Sequence, residues 1–213
     1  MARRTREEAE RTRETLLEAA EQVFLERGVA RATLEDVARK AGFSRGAVHW
    51  HFQDKLGLFN ALAERAWLTE EQIARDIMAS REDDPLGGLC RVVTEALTLT
   101  EADPRRRRLL LMLRLDYDTS EDLNPALERL RSARSLLKGA VRDAFEEAER
   151  RGQLAPGWST SLVTLTFHAL LSGLVEMWLR NEDEDFSLSR DGCAMVRAFL
   201  RTVDATASPP PPA

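Results

Sequence analysis

One stretch restricts what this chain can fold into more than any other: Thr33-Leu34-Glu35-Asp36-Val37-Ala38-Arg39-Lys40-Ala41-Gly42-Phe43-Ser44-Arg45-Gly46-Ala47-Val48-His49-Trp50-His51-Phe52. It reads as two short helices joined by a tight turn. Thr33 with Asp36 three residues on predicts a capping box. Leu34, Val37 and Ala38 recur at helical spacing, and Gly42 ends that helix because glycine takes a left-handed conformation without steric cost. Ser44 stands at a second N-cap, and Ala47, Val48 and Phe52 can pack back on the first helix. Arg45, Gly46, His49, Trp50 and His51 are left for the outer face. This suits the second helix of a helix-turn-helix, although an ordinary helical hairpin would use the same residues. Lys55 opens the next helix, where a cation is poor for the helix dipole and well placed to grip phosphate.

Charge bounds the partners. The net charge of the 213 residues is −5, yet residues 1–55 hold eleven Lys/Arg against ten Asp/Glu, which leaves −6 for the rest. Any grip on nucleic acid is therefore local, and the acidic remainder keeps the rest of the molecule off phosphates. No apolar run is read as approaching the ~18 residues of a membrane span, so no membrane partner is expected. The Arg-rich start lacks the apolar core of a secretory signal. Cys90 and Cys193, far apart, fit a reducing cytoplasm and a core role.

Taken in order, residues 1–11 read as a basic arm carrying Arg3, Arg4 and Arg6, ahead of a first helix from about Thr12 to Arg27. Further helices are expected over 54–80, 85–101, 104–115, 124–151, 160–181 and 188–203, with Pro85 in a first turn. No period-two alternation is sustained, so the chain is all-α. The Pro-rich 206–213 tail is expected to be disordered.

Other constellations carry less. His49 and His51, two apart, point to different faces and cannot chelate one metal. Asp116-x-Asp118-x-Ser120-x-Asp122 approaches a calcium loop, but Glu121 replaces the turn glycine and Leu127 the bidentate Glu, so no metal site is expected. Ser, Cys and His are too scattered for a catalytic pair, so neither an enzyme nor a cofactor is expected. Arg105, Arg106, Arg107 and Arg108 read as a solvated face at the wrong helix end for cations. His168 and Ser172 sit one turn apart in an apolar helix, and Arg114 lies among leucines. Such groups are ordinarily hydrogen-bonded inside a core, and they also suit the wall of a small-molecule cavity.

From Arg13 to Leu62 the chain resembles the DNA-binding domain of TetR-family transcriptional repressors. The resemblance rests on Leu17-Glu18-Ala19-Ala20, Phe24, Arg27-Gly28-Val29, Thr33-Leu34, Val37-Ala38, Ala41-Gly42, Ser44-Arg45-Gly46-Ala47-Val48, Trp50-His51-Phe52 and Asp54-Lys55. The opening residues and Gly28-Val29-Ala30-Arg31 look most like the AcrR/TtgR-type multidrug-efflux repressors. One departure is His49, where the family usually has Tyr. The resemblance implies a three-helix DNA-binding domain over 1–55 and a larger helical bundle over 56–205 for ligand binding and dimerisation. It implies DNA contacts from Arg3, Arg4, Thr33, Ser44, Arg45, Gly46, His49, Trp50, His51 and Lys55. It also implies a homodimer through 160–181 and 188–203, with one or two dimers on a pseudo-palindromic operator. A small hydrophobic effector would be bound near Trp67, Leu110, Arg114, Phe167, His168, Leu171 and Ser172. The expected work is ligand-relieved repression of a multidrug efflux pump. The alternatives are a metabolite sensor controlling other genes and a helical protein-interaction module.

Overall fold

The computed structural model describes residues 2–80, 84–115, 124–180 and 185–206, without the side chains of 2–5, 114–115 and 124–126. Of the helix breaks expected from the sequence, 118–120 with the calcium-like motif around it, most of 81–85 and of 181–185, and the tail beyond 206 lie outside these residues. The described chain is helical: α1 (Ala2–Arg27), α2 (Leu34–Ala41), α3 (Arg45–Phe52), α4 (Lys55–Ser80), α5 (Pro85–Ala102), α6 (Pro104–Leu115), α7 (Asn124–Arg150), α8 (Thr160–Arg180), a π-helical turn (Leu188–Gly192) and α9 (Cys193–Val203). Among the described residues, extended pairing is confined to one isolated bridge, Leu154 with Asp204. The chain divides into two compact units, residues 1–68 with 105–131 and residues 69–104 with 132–213.

The start of α1 corrects the sequence reading. Residues expected as a basic arm are helical from Ala2. Arg3, Arg4 and Arg6 alternate with Glu7, Glu8 and Glu10 at three- and four-residue spacings, which favours a helix without any apolar face. Extending an existing helix is also far cheaper than nucleating one.

The first unit closes around Leu17, Phe24, Val37, Val48, Phe59, Leu62, Met112 and Leu130. Beside this core lies a buried carboxylate. Glu21 is 1% exposed and takes Arg108 Nε at 3.1 Å and Arg65 Nη1 at 3.6 Å. Burial raises its pKa, and Arg108 and Arg65 pull the other way. Glu14 receives Arg65 at 2.5 Å and Arg105 at 2.9 Å, and Arg105 also pairs with Glu18. Arg105 and Arg108 are thus bound to one acidic stripe of α1. The solvated-face reading is corrected for these two: Glu14, Glu18 and Glu21 supply negative charge where the helix dipole of α6 is unfavourable to cations.

The second unit packs α5, the C-terminal part of α7, α8 and α9 around Leu89, Val93, Phe145, Phe167, Leu174 and Val196. Phe167 meets Phe145 edge-on at 5.5 Å and stacks on Phe199 at 5.6 Å. Cys193 is buried and Cys90 half-buried, where burial pushes the Cys90 thiol up and disfavours its thiolate. By length and composition α8 could cross a membrane, which corrects the reading that no run is long enough. Here its Val163, Phe167 and Leu174 are buried in the unit's own core.

Glu101 ties α5 to the turn before α9. It accepts bonds from the Leu188 amide (2.9 Å), the Ser189 amide (3.0 Å) and the Ser187 hydroxyl (3.0 Å). Burial pushes its carboxyl up, but these donors favour the charged form and hold it below the ordinary glutamate value. Its contribution to stability is therefore full above pH 4.5, the ordinary value, and is lost as pH falls through the folded-state value. Urea midpoints of the wild type and Glu101→Gln should differ most at about pH 6 and converge towards about pH 3. A difference that stays constant with pH would remove the Glu101 charge from the account.

Candidate nucleic-acid interface

The geometry of the helix pair follows from its end groups. The Thr33 hydroxyl accepts the Asp36 amide at 3.1 Å, and Asp36 Oδ2 accepts the Thr33 amide at 3.2 Å, completing the capping box. The Thr33 hydrogen bond is also the main cause holding the Asp36 carboxyl below its ordinary range. Gly42 takes φ 74°, and the Phe43 amide returns to the Ala38 carbonyl at 2.9 Å, which closes α2 and turns the chain. Ser44 Oγ then accepts the Ala47 amide at 3.1 Å to start α3. Val48 and Phe52 are buried, whereas Arg45, Gly46 and His49 are exposed and Trp50 is 72% exposed. A large aromatic left this bare on a helix that also exposes Arg45 is a surface built for a partner.

The exit from α3 was not legible in the sequence. Gln53 has φ 62° and ψ −58°, and the Asp54 amide bonds the Phe52 carbonyl at 2.7 Å, forming the strained positive-φ γ-turn. The Gln53 amide donates to the His49 carbonyl at 2.8 Å, and the His49 ring donates from Nδ1 to the Gln53 carbonyl. Asp54 Oδ1 caps α4 by accepting the Gly57 amide at 2.7 Å. A Cβ on Gly57 would lie 2.2 Å from the Phe52 carbonyl oxygen, so this position admits only glycine without movement. Gln53, Gly57 and the exposed Phe43 are the residues that sequence reasoning missed. A glutamine carries no signal for a left-handed turn.

Several predicted contacts are engaged within the chain. Thr33 is exposed, but its hydroxyl is occupied by the capping box. Lys55 is half-buried and donates to the Ala30 carbonyl at 2.9 Å, tying the start of α4 to the α1–α2 connection. An ammonium has three donors, so this bond leaves two. His51 is corrected: it is half-buried and edge-on to Trp50 at 4.5 Å rather than fully outward. Three residues beyond buried Val48, it sits at the edge of the inner face. Burial lowers its pKa, Arg13 lowers it further and Glu10 opposes them, so it is neutral at neutral pH. Arg13 also lies 5.3 Å over the Phe52 ring. Arg3 and Arg4 fall within α1, and their side chains are outside the described residues.

The residues expected around an effector divide between the units. Trp67 and Leu110 are half-buried in the first, with Arg129 stacked 6.0 Å over Trp67. Arg114 is at the end of α6 with its side chain outside the described residues. In the second unit Phe167 is fully buried and Leu171 half-buried, but His168 and Ser172 are exposed. The expectation that these two sit in an apolar wall is corrected. Each lies one residue, about 100° of helix, beyond a core-facing neighbour.

Gly57→Ala should cost roughly 1–3 kcal/mol by crowding the Phe52 carbonyl, read as a lowered urea midpoint at unchanged slope. Stability equal to the wild type would mean that the α3–α4 exit relaxes freely.

Comparison with known proteins agrees with this geometry. Residues 16–62 match the tetR family of bacterial regulatory proteins, and residues 84–204 match the C-terminal region of MAATS-type transcriptional repressors. The chain is 34% identical over 208 residues to the HTH-type transcriptional repressor BepR of Brucella suis, covering 98% of this chain and 99% of BepR. It is similar in structure to NalD, the secondary repressor of the MexAB-OprM multidrug efflux pump in Pseudomonas aeruginosa. That match has a TM-score of 0.77 and 33% identity over 94% of this chain and 99% of NalD. The SmeT–triclosan complex, SmeT being the repressor of the Stenotrophomonas maltophilia multidrug efflux pump SmeDEF, gives a TM-score of 0.71 and 29% identity. It covers 95% of this chain and 99% of that one. A capped helix-turn-helix with an exposed reading face, matched along nearly its whole length to such repressors, belongs to the TetR family: the chain is a transcriptional regulator, not an enzyme.

Proposed function

We propose that this chain represses transcription from a pseudo-palindromic operator as a cytoplasmic homodimer, and that a small hydrophobic effector releases it to allow expression of a multidrug efflux pump. The observation that carries the reading is the outer face of α3, where Arg45, Gly46, His49 and the 72% exposed Trp50 stand clear of the core. Residues 1–55 form the DNA-binding domain and 56–205 the effector-binding and dimerisation domain. In this reading Arg45 meets a base edge from the first turn of the recognition helix, and Trp50 packs on the sugar-phosphate backbone. Ser44 and the amide of Gly46 contact phosphate, while Arg3 and Arg4 follow the backbone.

Dimerisation is supported by apolar surface on the last helices. Leu162 (48%), Leu165 (68%) and Met177 (44%) on α8 are exposed, as is Met195 (44%) on α9. Exposed Ala169, Ser172 and Gly173 on α8 let a second helix approach closely. An isologous contact there would space two recognition helices by one DNA turn or a multiple of it. Of the residues first assigned to the effector, Trp67 and Leu110 keep that role, and His168 and Ser172 pass to the outer face of α8. BepR, NalD and SmeT are repressors, and the last two act on efflux pumps by name; the triclosan complex supports an apolar aromatic ligand.

A gel shift on the DNA upstream of the chain's own gene tests the reading. Arg45→Ala should relax preference at one base position per half-site, costing roughly 1–3 kcal/mol there. Equal weakening on every operator variant would move Arg45 to the backbone. Lys55→Ala should lower the salt slope by about one unit and also the stability, since the Ala30 bond is lost; an unchanged slope would remove it from the interface. Saturating triclosan should weaken operator binding roughly five- to 150-fold. Trp67→Ala should blunt that response at unchanged ligand-free affinity, and a full response would place the effector elsewhere.

A further inference from the structure

The second unit carries an open hollow of about 620 Å³ on one side of α7 and α8, lined by Lys138, Arg142, Glu146, Glu149, Thr160, Ser161, Thr164, Leu165 and His168. Its charges are ordered. Lys138, Arg142, Glu146 and Glu149 fall on one stripe of α7, at four-, four- and three-residue spacings, and read plus, plus, minus, minus from the N-terminal end. Lys138 and Glu146 form no ion pair with each other. Eight residues separate them along the helix, about 12 Å, which is beyond reach. Arg142 reaches Asp143 at 3.5 Å, and Glu149 accepts the Thr160 hydroxyl. His168 is held below the ordinary histidine value by burial and by Lys138, so it adds no charge at neutral pH.

A stripe in this order is complementary to itself when reversed. Placed antiparallel to a copy across a two-fold axis level with the midpoint between Arg142 and Glu146, each cation faces an anion of the mate. Leu165, which lines the hollow and is 68% exposed, continues directly into the apolar outer face of α8. We infer that the hollow is the edge of the dimer contact and that its occupant is the same hollow of a second copy. There Lys138 and Arg142 pair with Glu149 and Glu146 of the mate. The long Lys and Arg side chains span the open space, and Leu165 closes its rim. The inference rests on the dimer reading above and goes beyond it: the apolar face supplies affinity, and the charge order on α7 selects like copies and their register.

A charge exchange tests it. Lys138→Glu/Arg142→Glu makes the stripe wholly acidic, and Glu146→Lys/Glu149→Lys makes it wholly basic. By sedimentation equilibrium at low salt, each double variant should self-associate about tenfold or more weakly than the wild type. An equimolar mixture of the two should regain the wild-type dimer constant, and salt should erase the difference. Recovery in the mixture also certifies that both variants are folded. Variants that self-associate as tightly as the wild type, or a mixture no tighter than its components, would overturn the assignment and leave the dimer standing elsewhere. A wild type that is monomeric at micromolar concentration would overturn the dimer reading itself.

Discussion

A single buried carboxylate gathers parts of the first unit that are far apart in sequence. Glu21 on α1 lies between Arg65 of α4 and Arg108 of α6, with 1% of its surface exposed. Leaving such a charge unpaired in a core is strongly unfavourable, so the three helices are held to one arrangement in which both guanidiniums reach it. Both arginine side chains remain about 30% exposed, which lets water share the load and makes the contact one of geometry more than of net stability. Glu14 and Glu18 extend the same stripe to Arg105. Helix α1 is thereby joined to the start of α6 by charge, in addition to the apolar contacts of the core.

On that base the reading face is set by local chemistry. The capping box and the left-handed Gly42 fix where α2 begins and ends, and Ser44 fixes the start of α3. At the other end, Gln53 stores strain in a positive-φ turn three residues from the most exposed aromatic on the helix. Strain of this kind persists only where surrounding contacts over-determine it. Here they are the His49 ring on the Gln53 carbonyl, the Asp54 cap and the close approach of Gly57 to Phe52. The recognition helix is therefore held at both ends before any DNA arrives, and its outer residues need little ordering on binding.

Much of this was readable from residue types alone. Thr33 with Asp36, Ala41-Gly42 and Ser44 announce the helix-turn-helix because capping chemistry is local, and the long α4 follows from apolar periodicity. What failed to show was tertiary. Nothing in the order of Arg105, Arg106, Arg107 and Arg108 says that α1 lies opposite, although a glutamate four residues after buried Leu17 was a hint of a polar group inside. Lys55 looked free because its acceptor, the Ala30 carbonyl, is backbone 25 residues away. His168 and Ser172 looked internal because α8 is apolar nearly all round. In the proposed dimer α8 is covered by a partner on one side and by its own core on the other, so it needs no polar face and periodicity cannot tell which side is which.

Hydroxyl-radical footprinting of the purified protein on the DNA flanking its own gene tests the central claim most directly. A dimer of this fold should protect two symmetry-related patches on one face of the duplex, their centres about 34–36 Å or a multiple apart. No protection at sub-micromolar protein, or a single patch without a symmetry mate, would contradict the account.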